Sequence, residues 1–251
     1  MTGLEQVAVF AAGMAAGAIN ALVGSGTLIT FPVLLAVGYP PVVANVSNTV
    51  GLAPGSASAA YGYRRELAGQ RARLVRLGMA SVSGGITGAV LLLVLPARAF
   101  KAIVPALIAL ACVLVVIQPA LTRRLRRLSG PPPIHGGPWL AAGVYGAGIY
   151  GGYFGAAQGV LLIAILGLGL HEGLQRINAA KNVLAGLVNL VAALVFIASA
   201  EVAWRPAMLI ALGSVLGGQI GATVGRRLPA VALRGFIVVV GVAAMVKLLT
   251  D

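Results

Sequence analysis

Acidic side chains are the scarcest chemistry in this 251-residue chain: there are five, Glu5, Glu66, Glu172, Glu201 and Asp251. Each lies in a connection or at an end, none at the middle of an apolar run. That argues against a proton relay or a cation site built from intramembrane carboxylates. Cysteine occurs once, at Cys112, which excludes an intrachain disulfide and a cysteine-held metal cluster. The two histidines, His135 and His171, are isolated, so neither a metal, a cofactor nor a catalytic residue is expected. Charged residues of both signs make up 9% of the chain, against about 25% in a soluble domain. No basic residue precedes Arg64, so the charged start of a cleavable signal is missing. The first apolar segment is therefore expected to belong to the mature fold.

What is present is apolar: 59% of residues are hydrophobic. A soluble protein of this size could not bury that much apolar surface, so the lipid bilayer must be the solvent. The net charge of +13 would suit a nucleic-acid binder, but its placement does not. The arginines gather in short connections, Arg64 to Arg76, Arg123 to Arg127, and Arg226, Arg227 and Arg234. Basic loops between apolar spans mark the cytoplasmic side of a membrane protein, and no nucleic acid is expected as partner. Apolar runs of roughly 20 residues, enough for a hydrocarbon core of ~30 Å, predict helices at 42–62, 74–95, 99–118, 178–198, 206–225 and 232–249.

A duplication organises these runs. Ser81-Val82-x-Gly84-Gly85-x-x-Gly88-Ala89 returns 133 residues later as Ser214-Val215-x-Gly217-Gly218-x-x-Gly221-Ala222. Leu95-Pro96-Ala97 returns at the same offset as Leu228-Pro229-Ala230. Two longer segments, 5–37 and 138–168, correspond at an offset of 131, with Gly17, Gly24 and Gly38 matching Gly148, Gly155 and Gly169. Both are interrupted by small residues, Gly24-Ser25-Gly26 in one and Gly155-Ala156-Ala157-Gln158-Gly159 in the other. Each is expected to be a re-entrant segment or a hairpin of short spans. Every half then crosses an odd number of times, placing 13 basic residues on one side and four on the other. Single spans would make the repeats parallel and the split 11 to 6. The expected fold is therefore all-α: a polytopic transmembrane bundle of two inverted-topology repeats, each a broken segment plus three transmembrane helices. Residues 1–118 form the first repeat, 119–137 a basic, Pro-rich cytoplasmic linker and 138–251 the second repeat.

Lys181 stands four residues into a predicted helix, in Asn178-Ala179-Ala180-Lys181-Asn182, with no acidic residue on that helix to pair with it. A charge there costs at least ~2.5–3.5 kcal/mol unless it is paired or wetted. It either snorkels to the headgroups or serves a site. The corresponding helix of the first half carries Asn45, Asn48 and Thr49, with Asn48 at the position of Lys181. Helices restarting after the breaks would offer backbone N–H groups and a positive dipole end at Gly24, Ser25, Gly26 and Thr27, and at Gly155 and Gln158. Together with the lysine and the amides, these would suit a small anion. The Ser-Val-x-Gly-Gly copy reads instead as helix packing, with Ser81 and Ser214 outside the site.

At these residues the chain resembles the sulfite exporter TauE/SafE family of membrane permeases. The carriers are the run from Gly17 through Asn20 and Gly24-Ser25-Gly26-Thr27 to Pro32, Pro40 to Thr49, Gly152-Tyr153-Phe154-Gly155, and Asn178 to Asn182. Ala156-Ala157-Gln158 departs from the glycine-rich pattern of the second break. The resemblance implies a secondary transporter exporting sulfite or organosulfonates across the cytoplasmic membrane. Its candidate site is Asn20, Gly24, Ser25, Gly26, Thr27, Asn45, Asn48, Thr49, Gly155, Gln158, Asn178, Lys181 and Asn182. A passive anion channel, or a family permease for another small anion, is the alternative. An enzyme is not expected, since no nucleophile and base are paired. A homo-oligomer stays open.

Overall fold

The computed structural model describes residues 1–127, 137–170, 172–223, 235, 237–243 and 245–246. His135, His171, Arg226, Arg227, Arg234, Lys247, Asp251 and the Leu228-Pro229-Ala230 copy lie outside the described residues, as does much of the helix expected at 232–249. Residues 237–243 of that stretch are helical.

The described residues form helices with no strand among them: α1 (Gly3–Leu22), α2 (Thr27–Ala36), α3 (Pro41–Gly62), α4 (Arg71–Val94), α5 (Ala97–Arg127), α6 (Pro138–Tyr153), α7 (Gln158–Gly169), α8 (Leu174–Ser199) and α9 (Trp204–Thr223). The expected linker begins within a helix, because α5 runs on to Arg127. Helices α1, α4, α5, α8 and α9 are long and apolar enough to cross a membrane. Although α3 is as long, it carries Asn45, Ser47, Asn48, Thr49 and Ser56, all buried. A helix in the interior can keep such residues because protein, not lipid, surrounds them.

Both expected breaks are present, and both end the same way. Val23 and Gly24 N–H donate to Ile19 O at 2.7 and 3.0 Å, stopping α1. At the equivalent place Phe154 and Gly155 N–H donate to Tyr150 O, both at 3.0 Å, stopping α6. Gly24 and Gly155 take φ of 85° and 76°, the left-handed conformation that closes a helix in this manner. After the first break the chain turns back: a Cβ on Gly26 would stand 2.5 Å from Ala16 O, ten residues earlier. With 10 and 12 residues, α2 and α7 are only about 15 and 18 Å long, roughly half the hydrocarbon core.

Packing between helices follows the duplication. Helix α1 lies along α9, and its counterpart α6 lies along α4, the counterpart of α9. The glycine copies make these contacts. A Cβ on Gly84 or Gly88 would run into Tyr145 O or Ile149 O, and one on Gly217 or Gly221 into Met14 O or Ala18 O. Ser81 donates to Leu184 O at 2.9 Å, and Ser214 to Gly51 O at 3.0 Å. Each pair of partners is related by the sequence offsets. The conspicuous repeat is thus scaffold, letting helix backbones touch.

Candidate functional site

The two breaks meet at the centre of the bundle. Gly159 N–H, at the start of α7, donates to Gly24 O at 3.0 Å. Their backbones are so close that a Cβ on either glycine would overlap the Cα of the other.

Lys181 is fully buried among protein atoms rather than extended to the surface. Its ammonium donates to Asn20 O at 2.7 Å and Ala21 O at 3.3 Å, the last carbonyls of α1. Those carbonyls lack intrahelical partners and sit at the negative end of the helix dipole, so a helix end takes the place of a carboxylate counter-ion. Asn178 and Asn182, three residues before and one after Lys181, donate their amides to Ala21 O at 3.0 and 3.2 Å. One face of α8 thereby clamps the end of α1. The first half reciprocates with a single bond, Asn45 Nδ2 to Tyr153 O at 2.9 Å, at the end of α6. Asn48, the counterpart of Lys181, stays within its own half. Its amide donates to Thr27 Oγ1 at 3.3 Å, and Thr30 Oγ1 donates to its oxygen.

A cavity of ≈ 20 Å³ lies beside this clamp, between the breaks. That is room for about one water molecule and too little for an oxyanion of several atoms. Of the expected residues, Asn20, Gly24, Thr27, Gly155, Gln158, Lys181 and Asn182 line it. Asn45, Asn48, Thr49, Asn178, Ser25 and Gly26 do not. Thr49 bonds back to Asn45 O on its own helix at 3.0 Å, and Gly26 N–H is capped by Asn20 Oδ1 at 2.8 Å.

The breaks differ where the sequence differs. Asn20 corresponds to Gly151, and the side chain of Gln158 fills the space that a side chain at Gly151 would take. Gln158 is buried, and its amide nitrogen has no partner among the described residues.

Two features correct the sequence reading. The restarted helix ends were expected to leave backbone N–H groups unpaired, but several are satisfied within the protein. Gly26 N–H is held by Asn20, Gly159 N–H by Gly24 O, and Gln158 N–H by Gly155 O at 3.3 Å. Breaks packed against each other exclude water from these backbone N–H groups, so each of them finds a protein acceptor. The second feature is a pair of lining residues left out of the expected site, Ser56 and Asn189. Asn189 Nδ2 donates to Ser56 Oγ at 3.0 Å, and the two lie 133 residues apart. Equivalent residues that touch each other lie where the halves meet, and that offset was the signal that could have found them.

At one end of the bundle Glu172 ties α4 to α8. Arg73 approaches it at 3.0 Å and Arg176 at 2.6 Å. Burial alone would raise the carboxyl, but hydrogen bonds and charge from Arg176 and Arg73 outweigh it and hold Glu172 below the usual carboxylate range. A depressed folded-state value means the stabilisation is fully present above the ordinary carboxylate pKa and lost as pH falls through the depressed one. Melting temperature measured against pH should drop on that acid limb, and the drop should shrink in Glu172→Gln. An unchanged acid limb in the variant would take Glu172 out of the pH dependence.

Long apolar helices around a small, buried, donor-lined cavity between two helix breaks fit the architecture of a membrane transporter. The description "Sulfite exporter TauE/SafE" matches residues 9–248, and the chain belongs to that family. It is 28% identical over 249 residues to the probable membrane transporter protein YfcA of Escherichia coli (strain K12), covering 96% of this chain and 88% of that protein. It is 26% identical over 242 residues to the probable membrane transporter protein ORF9 of Sinorhizobium sp., covering 96% and 91%. A probable membrane transporter protein of Haemophilus influenzae is 26% identical over 255 residues, with 99% and 96% covered. No solved structure matches the chain. The protein is thus a multi-pass transporter of the cell membrane.

Proposed function

We propose that the protein exports a small sulfur-containing oxyanion, sulfite or an organosulfonate, by alternating access between two inverted repeats. The repeats are 1–118 and 138–251, joined by the basic linker. One observation carries the reading: a fully buried lysine and a buried, unpartnered amide nitrogen at Gln158 line the same cavity. An ammonium has three donors and two are engaged, so Lys181 keeps one N–H for a ligand. Substrate oxygens would accept from that N–H and from Gln158, with Asn182 and Asn189 completing the shell. Asn45, Thr49 and Asn178 bond to backbone carbonyls around it, Asn48 holds the Thr27 and Thr30 hydroxyls, and Thr27 lines the cavity.

A cavity of ≈ 20 Å³ describes a closed state. Admitting an oxyanion requires the breaks to part, and the Gly159–Gly24 contact is the seam along which they would. Among the described residues no carboxylate lines the site, so a proton would travel on the substrate itself, or the membrane potential alone would expel the anion.

The test is sulfite accumulation in vesicles holding the purified protein. Gln158→Glu keeps the side-chain shape but turns a donor into a negative acceptor. Transport should fall at least about tenfold, since like charges brought together cost several kcal/mol. Equal transport in wild type and variant would remove Gln158 from the site. Flux that never accumulates against a gradient would make the protein a channel.

A further inference from the structure

A groove of ≈ 560 Å³ lies between α4 and α8, away from the central cavity. Leu74, Gly78 and Val82, four residues apart on α4, form one wall, and Val183 and Leu187 of α8 form the other. Glycine at position 78 leaves the groove its depth: a Cβ there would already stand 3.1 Å from Leu187 Cδ1. The lining holds a single charged residue, Arg71, at one end. From Arg71 to Val82 the helix rises about 16 Å, a length suited to much of one acyl chain.

Charge distinguishes the two ends. Arg73 and Arg176 are engaged by Glu172, whereas Arg71 is exposed and makes no ion pair with any described residue. Arg64, Arg65 and Arg76 belong to the same basic stretch, which the positive-inside rule places at the cytoplasmic leaflet. That leaflet supplies anionic headgroups, and basic pockets between transmembrane helices on that side bind them.

We propose that this groove is a binding site for one anionic phospholipid, its acyl chain along α4 and α8 and its phosphate on Arg71. The site is separate from the transport cavity. A zwitterionic lipid such as phosphatidylcholine carries the same phosphate, but its ammonium offsets the attraction to the guanidinium, so selection is by net headgroup charge.

Native mass spectrometry of the full chain in detergent tests this, with added phosphatidylglycerol or phosphatidylcholine of identical chains. Phosphatidylglycerol should bind about fivefold more tightly, the contribution of one basic residue near a membrane surface. Arg71→Gln should abolish that preference, and Met79→Trp, which places an indole over the groove, should weaken both lipids. Arg98→Gln, at a distant basic residue, should leave the preference intact. Should Arg71→Gln fail to fold, raising salt must erode the preference in wild type, because exposed charges are screened. Equal binding of the two lipids, or a preference untouched by Arg71→Gln or by salt, overturns the proposal. A dimer that Met79→Trp splits would also overturn it, assigning the groove to a second copy of the chain.

Discussion

Lys181→Met is expected to lower sulfite transport by about a hundredfold, the upper range for losing a hydrogen bond to a charged group. The variant removes the positive charge at the cavity and leaves Asn20 O without its donor, while Ala21 O keeps Asn178 and Asn182. One orphaned buried carbonyl costs about 1–3 kcal/mol, so the protein should melt earlier but still fold. Transport rate and melting temperature therefore separate two roles. If Lys181 only clamps α1, transport should track the loss of folded protein. If it also meets substrate, transport should collapse in variant that remains folded. Lys181→Arg keeps the charge and should recover part of the transport, although the small cavity crowds the longer guanidinium. Full transport in Lys181→Met would end the anion-site reading.

Gly24→Ala should have the largest effect on stability, a loss of about 2–5 kcal/mol. Two costs combine. A φ of 85° puts an L-residue in left-handed space, at about 1–2 kcal/mol. The new methyl would also overlap Gly159 Cα, and overpacking adds about 1–3 kcal/mol because backbone cannot swing aside like a side chain. Gly38→Ala isolates the first cost, since Gly38 has φ of 98° and a methyl group there would meet nothing within 4 Å. Thermal unfolding in detergent should place Gly24→Ala well below Gly38→Ala. Equal melting temperatures would mean that the breaks do not touch at this glycine.

Much of this architecture could be read from residue order. Apolar runs gave the positions of α3, α4, α8 and α9 to within a few residues, because a helix in lipid must satisfy its own backbone and cannot be short or polar at will. The doubled glycine runs marked the breaks, since left-handed turns need glycine at Gly24 and Gly155. Lys181 stood out because a charge in a span demands an explanation. The site's wiring was hidden. Carbonyls such as Asn20 O and Ala21 O belong to every residue alike, so no sequence pattern shows that α8 reaches them. Side-chain type did not tell Asn182, which lines the cavity, from Asn178, which is turned to the same carbonyl outside it.

The residue order settled the solvent, the helix lengths, the places where helices must stop and the doubling, because hydrophobicity, glycine conformation and repetition are local properties of the chain. It fell to the folded chain to bring Gly24 onto Gly159, to seat the ammonium of Lys181 on the end of α1 and to leave the side-chain amide nitrogen of Gln158 without a partner among the described residues. These are distances between residues more than 130 positions apart in the chain, created only when the two halves close on each other and exclude water from between the breaks.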